Sequence, residues 1–318
     1  MNPVLEHNGA DIRYPGFAGD IWFTEAMKYM AACQQKNRPF FVYLANNLAH
    51  VPDSVPDKYS KPYVAIGTWK GIDGKEVKVP AAYYGQIANI DENMGRMDEF
   101  LVKNGLKENT IIVYFTDNGS RSAPATEIWN GGMRGHKTEM WEGGHRVPCF
   151  FRWPQSGIKH DRDVSELTTV QDIAPTLLDL CRINPKNRFP MDGLSWTGLL
   201  RQGAWPHANR TIAIQYGVSG KRWVDACVSS EKWRLLKNGN SLFDVTSDPH
   251  QDSDGATQNA GILMIAKDKW AMDTKPEDKS ATFTVHLTAG KTKLAADFLD
   301  KDGAILCSAF FVKVTLLK

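Results

Sequence analysis

Residues 109–119 read NTIIVYFTDNG. The unbroken apolar run from Ile111 to Phe115 ends in Asp117, Asn118 and Gly119. A short run of this kind, without alternation, is expected of a strand buried on both faces of a parallel sheet. Upstream, residues 38–47 (RPFFVYLANN) repeat the pattern and lead into a polar loop that carries His50. Between the two runs, Tyr83, Ile87, Ile90, Met94, Met97 and Leu101 recur at steps of four and three. That spacing predicts an amphipathic helix over about 81–104, with Gly105 as its left-handed C-cap. An earlier helix is predicted over 20–34, with Asp20 as N-cap and Phe23, Met27, Met30 and Ala31 on one face. Downstream, RVPCFFRWP (residues 146–154) is a third apolar run, and TVQDIAPTLLDLCRI (169–183) reads as a helix with Pro175 in its early part. Apolar strands alternating with amphipathic helices imply an α/β fold, a mostly parallel sheet sandwiched by helices.

The texture changes after about Gln202. KWRLLKNGNSLFDV (232–245) predicts a hairpin turning at Asn238-Gly239. ATFTVHLTAG (281–290) alternates Phe283, Val285 and Leu287, and strand character flanks Asp302-Gly303. The expected division is therefore an α/β core over 1–202 and a smaller antiparallel β-rich region over 203–318. Residues 2–20, by contrast, are rich in Gly, Pro, Asn and Asp and read as a loop with no strand in it. An α/β enzyme normally opens on a hydrophobic strand, so the core is expected to be incomplete at its N-terminus.

Composition excludes several classes. The 318 residues carry a formal net charge of +2, which gives no reason to invoke nucleic acid as a partner. The longest apolar runs are too short to span a bilayer. No signal-peptide pattern precedes Asp11. Cys33, Cys149, Cys181, Cys227 and Cys307 are scattered and odd in number, which suggests neither a zinc site nor a disulfide framework. Compartment and oligomeric state stay open.

Three places could carry chemistry. Asp117 and Asn118 offer a carboxylate and an amide carbonyl at a strand end, hard oxygens suited to Ca²⁺ or Mg²⁺. The same Asp-Asn-Gly trio also suits an Asx-type turn, the commoner use of such residues. His50 follows the first strand directly and could donate a proton or meet an anion. Lys137 lies in GGMRGHKTEMWEGGHRVP (131–148), where glycines let the backbone approach an anion beside an ammonium group.

Several segments in register carry a resemblance. PFFVYLANNLAHVP (39–52), the stretch from Tyr83 through Gly119, MRGHKTEMWEGGHRVPCFFRWP (133–154), VSELTTVQDIAPTLLDLC (164–181) and SLFDVTSDPHQ (241–251) resemble, in order and spacing, segments of the arylsulfatase-like sulfatases. The likeness is continuous from about Asp20 to Pro249. It implies the alkaline-phosphatase-like α/β fold and hydrolysis of sulfate esters by a formylglycine made from a Cys/Ser-x-Pro/Ala-x-Arg motif, with Ca²⁺ against the sulfate oxygens. By this resemblance Asp117 and Asn118 are calcium ligands, while His50 and Lys137 are catalytic residues that also bind the substrate's sulfate. The expected partner is a small-molecule or carbohydrate sulfate ester. No cysteine here begins the formylglycine motif, and the family's N-terminal Asp-Asp pair is missing too. The chain is thus read as a truncated portion of a sulfatase, inactive alone, with an incomplete calcium shell. Two rivals are a phosphoryl or phosphonate ester hydrolase of the same superfamily and a non-catalytic pseudoenzyme or binding fragment. Members of the family are often periplasmic, secreted or lysosomal.

Overall fold

The computed structural model describes residues 1–186, 190–205, 207, 210–216, 225–236, 241–253, 260–265, 268–273, 294–299 and 305–308; beyond residue 259 it describes the backbone alone. The chain divides into two compact units, Met1–Gly131 with Val147–His160, and Gly132–Arg146 with Asp161–Lys318.

The first unit opens on an antiparallel hairpin, β1 (Val4–His7) and β2 (Ala10–Arg13). This corrects the loop expected there. Asn8 and Gly9 both take positive φ, 54° and 85°, the requirement of a two-residue turn that matches strand twist. Helix α1 (Ala18–Gln35) follows, and α2 (Asp57–Ile66) and the hairpin β3 (Thr68–Lys70) and β4 (Glu76–Lys78) precede the long helix α3 (Ala81–Lys103). Strand β5 (Ile112–Phe115) leads to α4 (Ala123–Ile128), and β5 pairs antiparallel with β6 (Cys149–Arg152). The C-cap of α3 is Asn104, and Gly105, with φ 66°, is the left-handed residue just past it.

The core of this unit sits between α1 and α3. Phe23, Ala26 and Met30 meet Met97 and Leu101, and Phe40, Val42, Leu44 and Ile112 pack against them. Two expectations change here. The run over 40–45 belongs to no strand pair among the described residues, and every pair described is antiparallel. Its side chains alternate: Phe40, Val42 and Leu44 are half-buried on the helices, while Phe41 and Tyr43 are 72% and 75% exposed. One covered face explains the alternation.

On α3, Ile90, Met97 and Leu101 are buried, but Ile87 is exposed and the buried face takes in Gln86, Asn89 and Asn93. The reason lies on α1. Asp20 is not the N-cap, since Phe17 holds that position without a side-chain bond. Its carboxylate instead accepts hydrogen bonds from Asn89 and Asn93 at 2.7 and 2.8 Å. A half-buried carboxylate demands donors, and that demand turns the polar side of α3 inward.

In the second unit the short helix α5 (Glu142–His145) precedes α6 (Ile173–Leu180) and α7 (Thr197–Gln202). A four-stranded antiparallel sheet follows, formed by β7 (Ile212–Gln215), β8 (Ala226–Ser229), β9 (Trp233–Leu236) and β10 (Ser241–Asp244). The β9–β10 pairing agrees with the predicted hairpin; its turn at Asn238-Gly239 lies outside the described residues. A second antiparallel sheet, in the order β12-β11-β13-β14, comprises β11 (Ala260–Ile265), β12 (Asp268–Asp273), β13 (Leu294–Leu299) and β14 (Ile305–Ser308). Residues 281–290 and Asp302-Gly303 also lie outside the described residues. No helix among the described residues is long and apolar enough to cross a membrane.

The α6 end of this unit is organised by the buried carboxylate of Asp172. It receives two guanidinium bonds from Arg210 at 2.6 and 2.7 Å, the backbone N–H groups of Thr169 and Leu194, and the Trp196 indole N–H. Burial works to raise the Asp172 pKa, but the bonds from Arg210, Leu194, Thr169 and Trp196 outweigh it and hold the carboxyl below its ordinary range.

Leu101, 1% exposed, should cost about 2–5 kcal/mol when cut to Ala, read as a lower urea midpoint of the first unit. Asp172→Asn leaves Arg210 without its counter-charge and should destabilise the second unit by about 3–5 kcal/mol in the same measurement. Because the folded-state pKa of Asp172 lies below the unfolded value of about 3.9, its contribution is fully present above that pH and is lost as pH falls through the depressed folded value. Acid unfolding of Asp172→Asn should therefore show a shallower pH dependence below about pH 4 than the parent chain does.

Candidate active site

Asp117 and Asn118 follow β5 at its carboxyl end, the place where ligands gather in open α/β sheets. Asp117 is exposed and Asn118 half-buried, and the Asn118 amide N–H donates to the Asp117 carboxylate. Thr116 Oγ1 donates to the Asn118 carbonyl at 3.3 Å and steadies the turn. Among the described residues no cluster of three or more His, Cys, Asp or Glu could enclose a metal. These two residues are a pair of hard oxygen donors. Side-chain placement fits a cation once the amide turns its oxygen outward, but two donors fill only part of a calcium shell.

His50 lies exposed in the loop that leaves the 40–45 run, with Nδ1 3.3 Å from the Val51 carbonyl oxygen. This loop is held from beneath by α3. Gln86, fully buried, points its amide N–H groups at the carbonyls of His50, Pro52 and Ser54, at 3.3, 3.1 and 3.4 Å. One turn earlier, Tyr83 donates to Ser120 Oγ at 2.8 Å in the loop that follows Asn118. Arg121 in that same loop pairs with Asp53 of the His50 loop at 3.2 Å. Helix α3 and this ion pair therefore bring together the two loops that carry His50 and Asp117-Asn118.

Sequence reading missed Gln86, Tyr83, Asp53 and Arg121. For Gln86 a signal existed: Gln86, Asn89 and Asn93 recur at helical spacing, so polar residues share one face. Nothing comparable marks the pairing of Asp53 with Arg121, which depends on two loops 68 positions apart.

Lys137 belongs to the second unit and is described with it. Its half-buried side chain leaves a loop in which Gly135 has φ 83° and Thr138 φ 76°. A Cβ on Gly144 would sit 1.9 Å from the Glu139 carbonyl oxygen, so only glycine fits. The loop is anchored at Glu142, whose buried carboxylate pairs with Arg234 of β9 and whose N–H donates to Gln251 Oε1 at 2.8 Å. Trp141 packs edge-on against Phe243 of β10, with ring centroids 5.5 Å apart. The late SLFDVTSDPHQ segment thus fixes the base of the Lys137 loop. Next to it, burial lowers the pKa of His145 and pushes the Cys227 thiol up to about 11, so both stay neutral near pH 7.

Comparison with known proteins gives a consistent picture. The family model described as Sulfatase matches residues 11–183. An uncharacterized sulfatase of Escherichia coli, YdeN, is 28% identical over 229 residues, covering 70% of this chain and 38% of that protein. An arylsulfatase of Clostridium perfringens is 25% identical over 247 residues, covering 68% and 49%. The solved structure of Ps i-CgsB in complex with k-i-k-neocarrahexaose superposes with a TM-score of 0.69 at 26% identity, covering 80% of this chain and 54% of that one. The chain thus spans about half the length, or less, of the relatives it matches. The likeness shows the alkaline-phosphatase-like α/β class, with its C-terminal antiparallel sheet.

If Gln86 holds the His50 loop, Gln86→Met removes the donors and strands three carbonyls, at about 1–3 kcal/mol. Amide hydrogen exchange over residues 48–54 should quicken about tenfold or more, while amides in the Met97–Leu101 turn change little. Equal acceleration at both places would show that Gln86 serves the fold as a whole.

Proposed function

The chain belongs to the sulfatase family, and from that membership we propose that the protein containing it hydrolyses sulfate esters with the aid of calcium. The observation that supports the reading most is the tie, through α3 and the Asp53–Arg121 pair, between the loop of His50 and the strand-end loop of Asp117 and Asn118. On this reading one frame carries the proposed proton donor and the two proposed oxygen ligands.

In this proposal Asp117 and Asn118 are two ligands of a Ca²⁺ ion, whose remaining oxygens come from elsewhere. Bound there, the ion would supply positive charge against the sulfate oxygens. His50 Nε2 hands a proton to the oxygen of the departing alcohol, which would otherwise leave as a strong base. Lys137, in the second unit, is assigned an ammonium role toward sulfate from the family resemblance alone, and its glycine-rich loop would let backbone approach an anion of that kind. No Cys/Ser-x-Pro/Ala-x-Arg sequence occurs in these 318 residues, so they do not contain the formylglycine nucleophile that the family resemblance implies. We assign the substrate to sulfated carbohydrates, with support from the oligosaccharide in the related structure's complex.

In the natural gene product, hydrolysis of 4-nitrophenyl sulfate with calcium present should be readily measured. His50→Ala, Asp117→Ala and Lys137→Ala should each lower kcat/KM by about 100-fold or more. Wild-type-like turnover in all three variants would overturn the assignment. The 318-residue chain alone should show no turnover above background. Turnover by it that His50→Ala abolishes would reveal a nucleophile within these residues.

A further inference from the structure

We propose that Trp69 and Trp129 form a stacking platform for the sugar rings of a sulfated oligosaccharide, beside the Asp117-Asn118 loop. The inference rests on the sulfatase reading for the identity of the sugar, and on two exposed indoles for the site. Trp69 is 57% exposed and Trp129 72% exposed, and among the described residues neither ring stacks on another. Large apolar rings left in water on two segments that bond to one another mark a surface that meets something.

The two rings flank one junction. The β3–β4 turn is bonded to the end of α4, with Ile72 N–H donating to the Glu127 carbonyl at 2.8 Å. Gly71 packs so close that a Cβ there would lie 3.0 Å from both the Glu127 oxygen and Val77 Cγ2. Val77 therefore faces α4, and Trp69, its partner across the hairpin, shares that face. Trp129 follows Glu127 by two residues and caps α4, its N–H on the Ala125 carbonyl at 2.9 Å. Helix α4 starts five residues after Asn118 and rises about 9 Å over its six residues. The platform thus stands one short helix away from the proposed sulfate site.

The surroundings favour a sugar over a protein partner. The hairpin around Trp69 carries Lys70, Asp73, Lys75, Glu76 and Lys78, whereas the centre of a protein interface is depleted in charge. A pyranose is amphipathic in a matching way, with a C–H face for an indole and hydroxyl or sulfate groups at its edge for lysines. The proposal makes the substrate an extended glycan rather than a small aryl ester.

The test labels the ten tryptophans of the 318-residue chain with 5-fluorotryptophan and follows them by fluorine NMR as a chondroitin sulfate hexasaccharide is added. Trp69→Phe and Trp129→Phe assign the two signals while keeping a ring in place. Those two signals should move together and the other eight stay. A Trp69→Ala/Trp129→Ala double variant should bind the sugar about tenfold more weakly or worse, and the double Phe variant should lose less. No movement at millimolar sugar, movement of the other signals instead, or unchanged affinity in the double Ala variant would overturn the proposal. Movement with protein concentration alone would also overturn it, since a second copy would then be the occupant. His50→Ala separates the two readings. If the natural gene product keeps wild-type-like turnover of 4-nitrophenyl sulfate with His50→Ala while the platform signals still shift, the platform stands and the sulfatase assignment of His50 falls.

Discussion

One carboxylate sets the first unit in register. Asp20 on α1 is half-buried, and its carboxylate takes both asparagine amides that α3 presents to it. Arg96 then closes the arrangement by bonding Asn93 and, at 3.1 Å, Thr24. Hydrogen bonds to a charged acceptor are among the stronger ones a protein makes, and they are directional where apolar contacts are not. The apolar cluster of Phe23, Met30, Met97 and Leu101 provides most of the attraction between the helices. The asparagines decide the rotation of α3 about its axis.

That rotation has consequences a turn away. With Asn89 and Asn93 inward, Gln86 is inward too, and its amide reaches the carbonyls of the His50 loop. Reversing the amide would set its oxygen against three carbonyl oxygens, so the network fixes its orientation. Tyr83, a turn further, meets Ser120 beyond Asn118. The half-exposed Asp53–Arg121 pair adds little energy by itself. Its effect is to limit how far the two loops can part once α3 has aligned them. The second unit follows similar logic with different residues, as Glu142 is held by Arg234 and Gln251 at the root of the Lys137 loop.

The apolar runs, the two long helices, the left-handed Gly105 after α3 and the late antiparallel region were all legible in the chain, because each rests on a local period or a local turn preference. The residues proposed for chemistry were named from segments that keep the order and spacing of the family's. The first hairpin was legible as well, since Asn8-Gly9 is a strong turn signal, but the polar surroundings hid it. Ile87 was misplaced for a different reason. An apolar stripe defines a face only to within the competition of other groups for the interior, and Asp20 won that competition.

What the sequence determined by itself was therefore the kind of element at most positions and the family to which their order belongs. The tertiary structure alone decided which face of α3 turns inward, that Phe41 and Tyr43 stay in water, and that Asp53 meets Arg121. Those outcomes depend on desolvation and hydrogen-bond satisfaction between segments tens of residues apart. No local pattern encodes them, because the partner that settles each one is present only once the chain has folded.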